Sequence, residues 1–287
     1  MKKIYFVIML LSINLTVFAQ ITIIGTTFNS ETKDEVPYVS IGIESKSTGT
    51  VSNNNGKFSL KIGENISQSD SVTFSSIGFK TIKYTIADIN KVANKIFLDP
   101  VTYELDEIIV TNRPTKSVIL GRNSAGSGML ECPFFISYEL DSKDRISREI
   151  GMLFKTKNDC RVNSVNFFIK RNNYTSVKFR LTFYSVENDR PKDIIVNQDI
   201  IFDIKDQYKG WFKIDLEPFL IFIQKRESFV VTLTLLEDEL NNQRNWFSFP
   251  GAVMSGYNVF RKDKAMGNWE KKNYAVSMFL ETTVFMD

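Results

Sequence analysis

The sequence predicts an all-β protein built from two sandwiches. Short segments in which apolar and polar residues alternate are separated by turn residues such as Asn, Gly and Pro along most of the chain, as in strands with one buried face. The 24 Phe and 10 Tyr residues favour half-buried pleated surfaces. A length of 287 residues allows two domains with separate cores. We expect a seven-stranded sandwich followed by a larger, antiparallel, jelly-roll-like sandwich.

Residues 1–19 have the composition of a secretory signal peptide. Lys2 and Lys3 precede an apolar core from Ile4 to Leu15, and Val17 and Ala19 are small residues before the expected cleavage site. We expect an exported chain, located in the periplasm or associated with the outer membrane or cell surface, without a transmembrane helix after cleavage. Cleavage would lower the net charge from +3 to +1, which gives no reason to expect nucleic acid or an anionic membrane surface as partner.

Residues 20–111 contain the strands of the first predicted domain. In "YVSIGIE", Val39, Ile41 and Ile43 alternate with polar or small residues. The turn "NNNG", Asn53 to Gly56, separates "GTVS" from "KFSLKI". Asn and Gly tolerate the positive φ of a tight turn, so we expect a β-hairpin here.

This segment resembles a known domain family. The motifs "VPYVSIGI", "GTVSNNNGKFSL", "FSSIGFK" and "LDEIIV" are similar to those of the carboxypeptidase-like regulatory domain, a seven-stranded transthyretin-like sandwich. Gly49, Gly56 and Gly78 match its turn glycines, and Asp70 and Phe74 match one of its strands. The resemblance covers about residues 21–110 and implies a non-catalytic module, as at the front of TonB-dependent outer-membrane receptors. The remaining chain is too short for a receptor barrel.

A linker is predicted at residues 112–128, because this segment is rich in Ser, Gly, Asn and Pro. The alternative is that "SVIL", Ser117 to Leu120, adds an edge strand to one of the sheets and joins the two halves. A linker would allow residues 20–111 and 129–287 to fold separately.

Residues 129–287 are predicted to form the larger sandwich. In "SVKFRLTFYS", Val177, Phe179, Leu181 and Phe183 occupy one face. A last strand is expected from about Asn273 to Phe285. The strand order is reminiscent of carbohydrate-binding and cell-surface modules, which is an analogy of fold only. A small outer-membrane barrel is a less favoured interpretation.

The residue types argue against an enzyme. The chain contains no His, which excludes Ser-His-Asp and Cys-His chemistry and His-ligated metals. We expect no catalytic residue, cofactor or metal. Carboxylates could still perform glycoside hydrolysis or bind Ca²⁺, but their spacing is that of ordinary solvated turns; the candidates are Asp141, Asp144, Glu237, Asp238 and Glu239.

Exposed aromatic residues are the better candidates for a binding site. Trp211 is out of phase with Phe212 and Ile214 of its strand and should face away from the core. Such residues stack on sugar rings or anchor protein interfaces, or they cover a sheet edge. The predicted ligand-binding residues are Trp211, Trp246, Trp269, Tyr208 and Tyr257.

The expected function is a non-enzymatic binding or accessory role in the cell envelope, with a glycan or protein bound by the second domain. The alternative is a structural or assembly component of a cell-surface complex. A binding module should hold at least two of the three tryptophans in one groove, whereas an assembly protein should present a flat apolar patch or an open sheet edge.

The two cysteines leave two possibilities open. Cys132 and Cys160 could form one disulfide in an exported protein, or they could be buried free thiols that pack as small apolar side chains.

Overall fold

The structure is a computed structural model that describes residues 21–46, 48–63, 65–92, 95–101, 113–126, 130–134, 145–225, 227–240, 246–253 and 256–286. The all-β prediction is confirmed, since these residues form 23 strands with one short helix and one 3₁₀ turn. The predicted signal peptide and the "LDEIIV" motif lie outside the described residues. Among the described residues, the structure contains no helix with the length and apolarity needed to span a membrane.

The first sandwich comprises β1 (Thr22–Asn29), β2 (Ser40–Ile43), β3 (Gly49–Val51), β4 (Lys57–Lys61), β5 (Ser71–Ser75), β6 (Ile82–Thr85), the helix α1 (Ile86–Val92) and β7 (Lys95–Leu98). Its two sheets have the strand orders β4-β1-β7 and β3-β2-β5-β6. Their inner faces enclose one core that includes Val39, Ile41, Phe58 and Phe74. The pairing of β1 with β7 is parallel, so this sandwich is not wholly antiparallel.

The "NNNG" turn is formed as predicted, but the expected hairpin is not. Gly56 has a φ of 65°, and the Asn53 side chain accepts hydrogen bonds from the backbone N–H groups of Asn55 and Lys57 at 3.0 and 2.9 Å. However, β3 pairs with β2 and β4 pairs with β1. The turn therefore carries the chain from one sheet to the other.

The second sandwich begins with β8 (Thr115–Gly121), β9 (Leu130–Pro133), β10 (Glu149–Lys155), β11 (Cys160–Ile169), β12 (Arg171–Asn172), β13 (Tyr174–Glu187), β14 (Arg190–Ile194) and β15 (Ile200–Lys205). It continues with β16 (Gly210–Asp215), a 3₁₀ turn (Glu217–Phe219), β17 (Ile221–Ile223), β18 (Ser228–Leu240), β19 (Phe247–Val253), β20 (Val259–Lys262), β21 (Glu270–Lys272), β22 (Tyr274–Val276) and β23 (Met278–Phe285).

These strands form three sheets around one large core. The first has the order β14-β13-β18-β10-β20-β21, with β15 also on β13. The second has the order β16-β11-β23-β8, with β17 on β11, and the third has β12-β19-β22, with β9 on β19. Val177, Phe179, Leu181 and Phe183 are buried in this core, as their alternation predicts.

Two details of the second sandwich differ from expectation. The predicted last strand is divided at Ser277, because β22 pairs with β19 while β23 pairs with β11 and β8. The acidic run from Glu237 to Glu239 does not lie in a turn as expected, since it is within β18 and pairs with β13.

The predicted linker contains a strand. β8, at Thr115–Gly121, pairs with β23 along its whole length, so residues 115–121 belong to the second sandwich. The prediction of an unstructured connector is wrong for these residues. The edge strand of the alternative is present at "SVIL", but its pairing is with the second sandwich and does not join the two halves. The few apolar residues of β8 extend the hydrophobic core, because Val118 and Leu120 pack against it.

The two sandwiches contact each other through the face of the β13 sheet that points away from the core. Arg180 is 5% exposed; it donates to both carboxylate oxygens of Asp199 at 2.6 and 2.8 Å and to the carbonyl oxygen of Tyr38 at 2.9 Å. Tyr38 and Val51 of the first sandwich pack in a cluster with Leu236 of the second. This contact explains why β13 is buried on both faces.

A second contact joins the β2–β3 region to the loop after β20. Ala265 is buried at 4% exposure, and a Cβ atom added at Gly49 would lie 2.2 Å from its carbonyl oxygen. The backbone N–H of Ser45 donates to the Met266 carbonyl at 3.0 Å. The two backbones approach so closely because Gly42 and Gly49 have no side chains at this point.

Candidate functional site

The second sandwich has an open sheet face, formed by the outward-pointing residues of β16, β17, β11, β23 and β8, which we call the outer face. The opposite sheet contacts the first sandwich through Arg180 and Leu236, whereas Lys213, Asp215 and Ile119 of this sheet are exposed. In the strand register, Trp211 lies opposite Phe168, and Phe279 lies opposite Asn166. Successive residues of a strand point to opposite faces of the sheet. Phe168 and Phe279 therefore point away from the core, because their neighbours Phe167 and Met278 point into it.

Three aromatic side chains form a cluster at one end of the outer face. Trp211 contacts Phe168 with ring centroids 5.4 Å apart and an interplanar angle of 84°. It contacts Phe279 at 5.0 Å and 71°. All three side chains are half-buried. Because the rings meet edge to face, the cluster presents an uneven apolar surface and no set of coplanar rings.

A hydrogen-bonded polar network adjoins this cluster. Lys213 and Ser164 both donate to Glu281 Oε2, at 2.6 and 2.7 Å. Asn166 donates to Ser164 Oγ at 2.9 Å. The hydrogen bond from Lys213 and then that from Ser164 lower the pKa of Glu281. An aromatic cluster beside a polar rim is the composition of many protein interfaces.

The other end of the outer face carries a second aromatic pair. The rings of Phe222 and Phe285 stack with centroids 6.1 Å apart, and Phe222 is 45% exposed. The Arg113 guanidinium lies 5.4 Å from the Phe285 ring and donates to Asp159 Oδ2 at 3.1 Å. The outer face is therefore aromatic at both ends and polar between them.

The β8 edge of this sheet is open. Within the described part of the chain β8 pairs only with β23, and Thr115, Lys116 and Ser117 are exposed. Ile119, which lies opposite Glu281 in the register, is 51% exposed. An open edge with exposed residues can pair with a strand of another chain.

The five aromatic residues predicted to bind ligand do not form one site. Trp211 lies in the outer face, as expected from its phase. Tyr208, 42% exposed, donates its hydroxyl to the Trp211 carbonyl oxygen at 2.6 Å. Tyr257 is half-buried against the large core and donates to the Gly121 carbonyl at 3.1 Å.

The other two tryptophans lie elsewhere. Trp246 stacks under the Arg171 guanidinium at 4.4 Å, and its buried indole nitrogen has no hydrogen-bond partner among the described residues. Trp269 packs edge to face on Tyr184, 5.6 Å away, beneath the Lys262 ammonium group at 4.4 Å. No two of the three tryptophans share a groove among the described residues, so the criterion set for a groove-type binding module is not met.

Sequence reasoning missed Phe168 and Phe279. Each directly follows a buried residue in its strand: Phe168 follows Phe167, and Phe279 follows Met278. The signal was available, because a residue adjacent to a core position in a strand points to the opposite face. It was hidden by their aromatic character, which suggests a core position.

Neither cysteine is in a disulfide. Cys132 and Cys160 are both free and buried, which agrees with the possibility of two buried free thiols. Burial raises the pKa of the Cys132 thiol to about 11 and also raises the pKa of Cys160. Thiols with raised pKa values are poor nucleophiles at neutral pH.

The carboxylate candidates are held in ion pairs or line an open cleft. Asp238 forms a buried ion pair with Arg145 at 3.1 Å, the side chains being 3% and 0% exposed. Glu237 accepts a hydrogen bond from the Asn54 backbone N–H at 3.2 Å. With Glu239, they line a cleft of about 420 Å³ beside the contact between the sandwiches. Asp141 and Asp144 lie outside the described residues. In the described ranges, no group of three or more Cys, Asp and Glu is placed to hold a metal ion.

The fold and this open face define the class of protein: an all-β chain of two sandwiches in contact, whose second sandwich presents the outer face and the open β8 edge. Residues 23–110 match the family model of the CarboxypepD_reg-like domain. The first sandwich is therefore a carboxypeptidase-regulatory-like domain, as the sequence motifs predict.

Comparisons of the whole chain are less informative. No curated protein is significantly similar to it. A structure of the clostridial cysteine protease Cwp84 after propeptide cleavage is 10% identical with a TM-score of 0.37, and the match covers 87% of this chain and 66% of that one. The cysteine protease and lectin-like domains of Cwp84, a surface layer associated protein of Clostridium difficile, have the same identity and score, and this chain spans 59% of that one. A structure of infectious bursal disease virus, Gx strain, scores 0.23 at 10% identity and covers 92% of this chain and 55% of that one. Scores this low do not establish a shared fold.

Proposed function

We propose that the chain is an exported, non-catalytic accessory protein of the cell envelope that binds a protein partner through the outer face. Export is supported by the composition of residues 1–19. A non-catalytic role is supported by the carboxypeptidase-regulatory-like first domain. The observation that carries the proposal is the cluster of Trp211, Phe168 and Phe279 next to the network around Glu281.

This arrangement favours a protein over a glycan. A flat polysaccharide is best bound by coplanar exposed rings, whereas the rings here meet at 84° and 71°. The energy of protein interfaces is concentrated in a few residues, with Trp among the most frequent, and these are surrounded by polar contacts that exclude water. The open β8 edge adds backbone donors and acceptors to the same surface.

Photo-crosslinking in intact cells tests the proposal. A photoreactive amino acid is introduced at Lys213 or Ile119, both exposed on the outer face, and in a control chain at Lys155, which is exposed at the end of β10. We expect the same discrete cross-linked protein from both outer-face positions and none from the control. An equal yield at Lys155, or no adduct at any position, would contradict the proposal.

A glycan array on the mature chain tests the possibility that the outer face binds a glycan. We expect that no glycan binds the wild-type chain in a way that depends on Trp211, as judged with the Trp211→Ala variant. A glycan bound by the wild-type chain and lost on that substitution would replace the protein partner with a sugar ligand at the same surface.

A further inference from the structure

The first sandwich has its own uncovered sheet face, on the sheet β4-β1-β7, which we call the basic face. Its residues are the outward positions of the three strands: Thr22, Ile24, Thr26, Phe28, Lys57, Ser59, Lys61, Lys95 and Phe97. The alternate residues Ile23, Phe58, Leu60, Ile96 and Leu98 are buried in the core of this sandwich. The basic face lies on the first sandwich and does not depend on the outer face.

Apolar side chains project from the basic face. Ile24 is 64% exposed and Phe97 is 41% exposed. Phe97 stacks on Phe28 with ring centroids 5.6 Å apart. Exposed large apolar residues are common singly, but a group on one face indicates a contact surface.

Lysines surround these apolar residues. Thr26 lies opposite both Lys57 and Lys95, so that the two lysines flank it in one row across the sheet. A third, Lys33, lies with its ammonium group 5.1 Å from the Phe97 ring. The strand positions of the basic face include no acidic residue, but Glu35 pairs with Phe28 in an isolated bridge and lies at the edge of the face. Lys57, Lys61 and Lys95 are all exposed on the face and outnumber this acid. The small net charge of the chain therefore conceals a local basic surface.

We propose that the basic face binds an anionic lipid surface. Lysines attract negatively charged headgroups and keep their ammonium groups in water while exposed aliphatic and aromatic side chains enter the interface. The cleft lined by Glu237, Asp238 and Glu239 includes no residue of this face, which is the outer surface of a three-stranded sheet. A flat apolar and basic surface suits a fluid bilayer, which requires no shape complementarity.

Vesicle co-sedimentation tests this assignment. The mature chain, residues 20–287, is mixed with vesicles of phosphatidylglycerol and phosphatidylcholine or of phosphatidylcholine alone. We expect binding to the anionic vesicles that weakens as salt is raised, and at least tenfold weaker binding to the neutral ones. Equal binding to both compositions, or binding to neither, would overturn the proposal.

Paired variants identify the surface. Lys57→Gln with Lys95→Gln should lower the partition coefficient about 30-fold, because each lysine near an anionic surface contributes about 1 kcal/mol and a tenfold change corresponds to about 1.4 kcal/mol. The control Lys155→Gln with Lys157→Gln removes the same charge from exposed positions of the second sandwich and should change it less than about twofold, since distant exposed charges are screened. Equal losses in the two pairs would refute the basic face as the lipid-binding surface. Stronger capture of poly-glutamate than of vesicles by the same lysines would also refute it, in favour of an acidic protein segment.

Discussion

Substitution of Gly49 tests the contact between the two sandwiches most sharply. A Cβ atom at this position would lie 2.2 Å from the Ala265 carbonyl oxygen and 2.9 Å from its backbone nitrogen. Neither atom belongs to a flexible side chain, so the Gly49→Ala chain must move one backbone away from the other. Overpacking of this kind costs about 1–3 kcal/mol. We expect the free energy of unfolding to fall by about 2 kcal/mol.

Gly63→Ala is the matched control. A Cβ atom there would meet only the Thr48 hydroxyl, at 3.8 Å, so the change should be neutral or stabilising by up to about 1 kcal/mol, through the loss of backbone entropy in the unfolded chain. Urea unfolding of both variants, with limited proteolysis of the native chains, measures the difference. If Gly49→Ala unfolds at the same urea concentration as Gly63→Ala, the close contact with Ala265 does not exist in solution.

Three further predictions concern buried charges and thiols. Arg145→Met should lower the free energy of unfolding by about 3–5 kcal/mol in urea melts, because it leaves the buried Asp238 carboxylate without its cation; a loss below about 1 kcal/mol would contradict the buried pair. The native chain should show no thiol that reacts with a chromogenic disulfide reagent, and the unfolded chain should show two, since Cys132 and Cys160 are free and buried; no thiol after unfolding would mean a disulfide. The Lys225 backbone N–H and then Arg113 lower the pKa of Asp159, so its carboxylate stabilises the fold above the unfolded-state pKa and this contribution is lost as pH falls through the lowered pKa. Asp159→Asn should therefore be less stable than wild type in urea melts at neutral pH, and the difference should shrink as pH falls through the lowered pKa; a difference that does not change with pH would rule this out.

Local patterns predicted the strands better than their partners. The alternation in β13 identifies its buried residues, and the three asparagines and Gly56 identify the turn. The sequence could not reveal that β3 and β4 lie in different sheets, because a tight turn is compatible with a hairpin and with a crossing between sheets. Pairing is decided by which strands bury the common core, which is a property of the whole domain.

Local sequence patterns also could not predict the contacts between the sandwiches. Gly49 fits a family motif and suggests a turn, yet of the three glycines that match the family only Gly56 and Gly78 have positive φ values. Its lack of a side chain is explained by Ala265, more than 200 residues away in the sequence. Likewise, Arg180 alternates outward as a solvated residue would, but it is buried against the Tyr38 carbonyl.

The candidate site was predicted in part. The phase of Trp211 within β16 placed it correctly on the outer face. Trp246 and Trp269 were grouped with it only because large aromatic residues near loops are often exposed, and the fold separates them. A common groove depends on which strands are neighbours in space, and this information is absent from the spacing of single residues.

The most direct test of the proposed function is the affinity of the cross-linked partner for the mature chain and its Trp211→Ala variant, measured by titration calorimetry. A central interface tryptophan contributes about 2 kcal/mol or more, so we predict a loss of affinity of about 30-fold. The control Ile194→Ala removes a side chain that is 39% exposed on β14, away from the outer face, and should leave the affinity unchanged. Equal affinities of the Trp211→Ala and wild-type chains would contradict binding through the outer face.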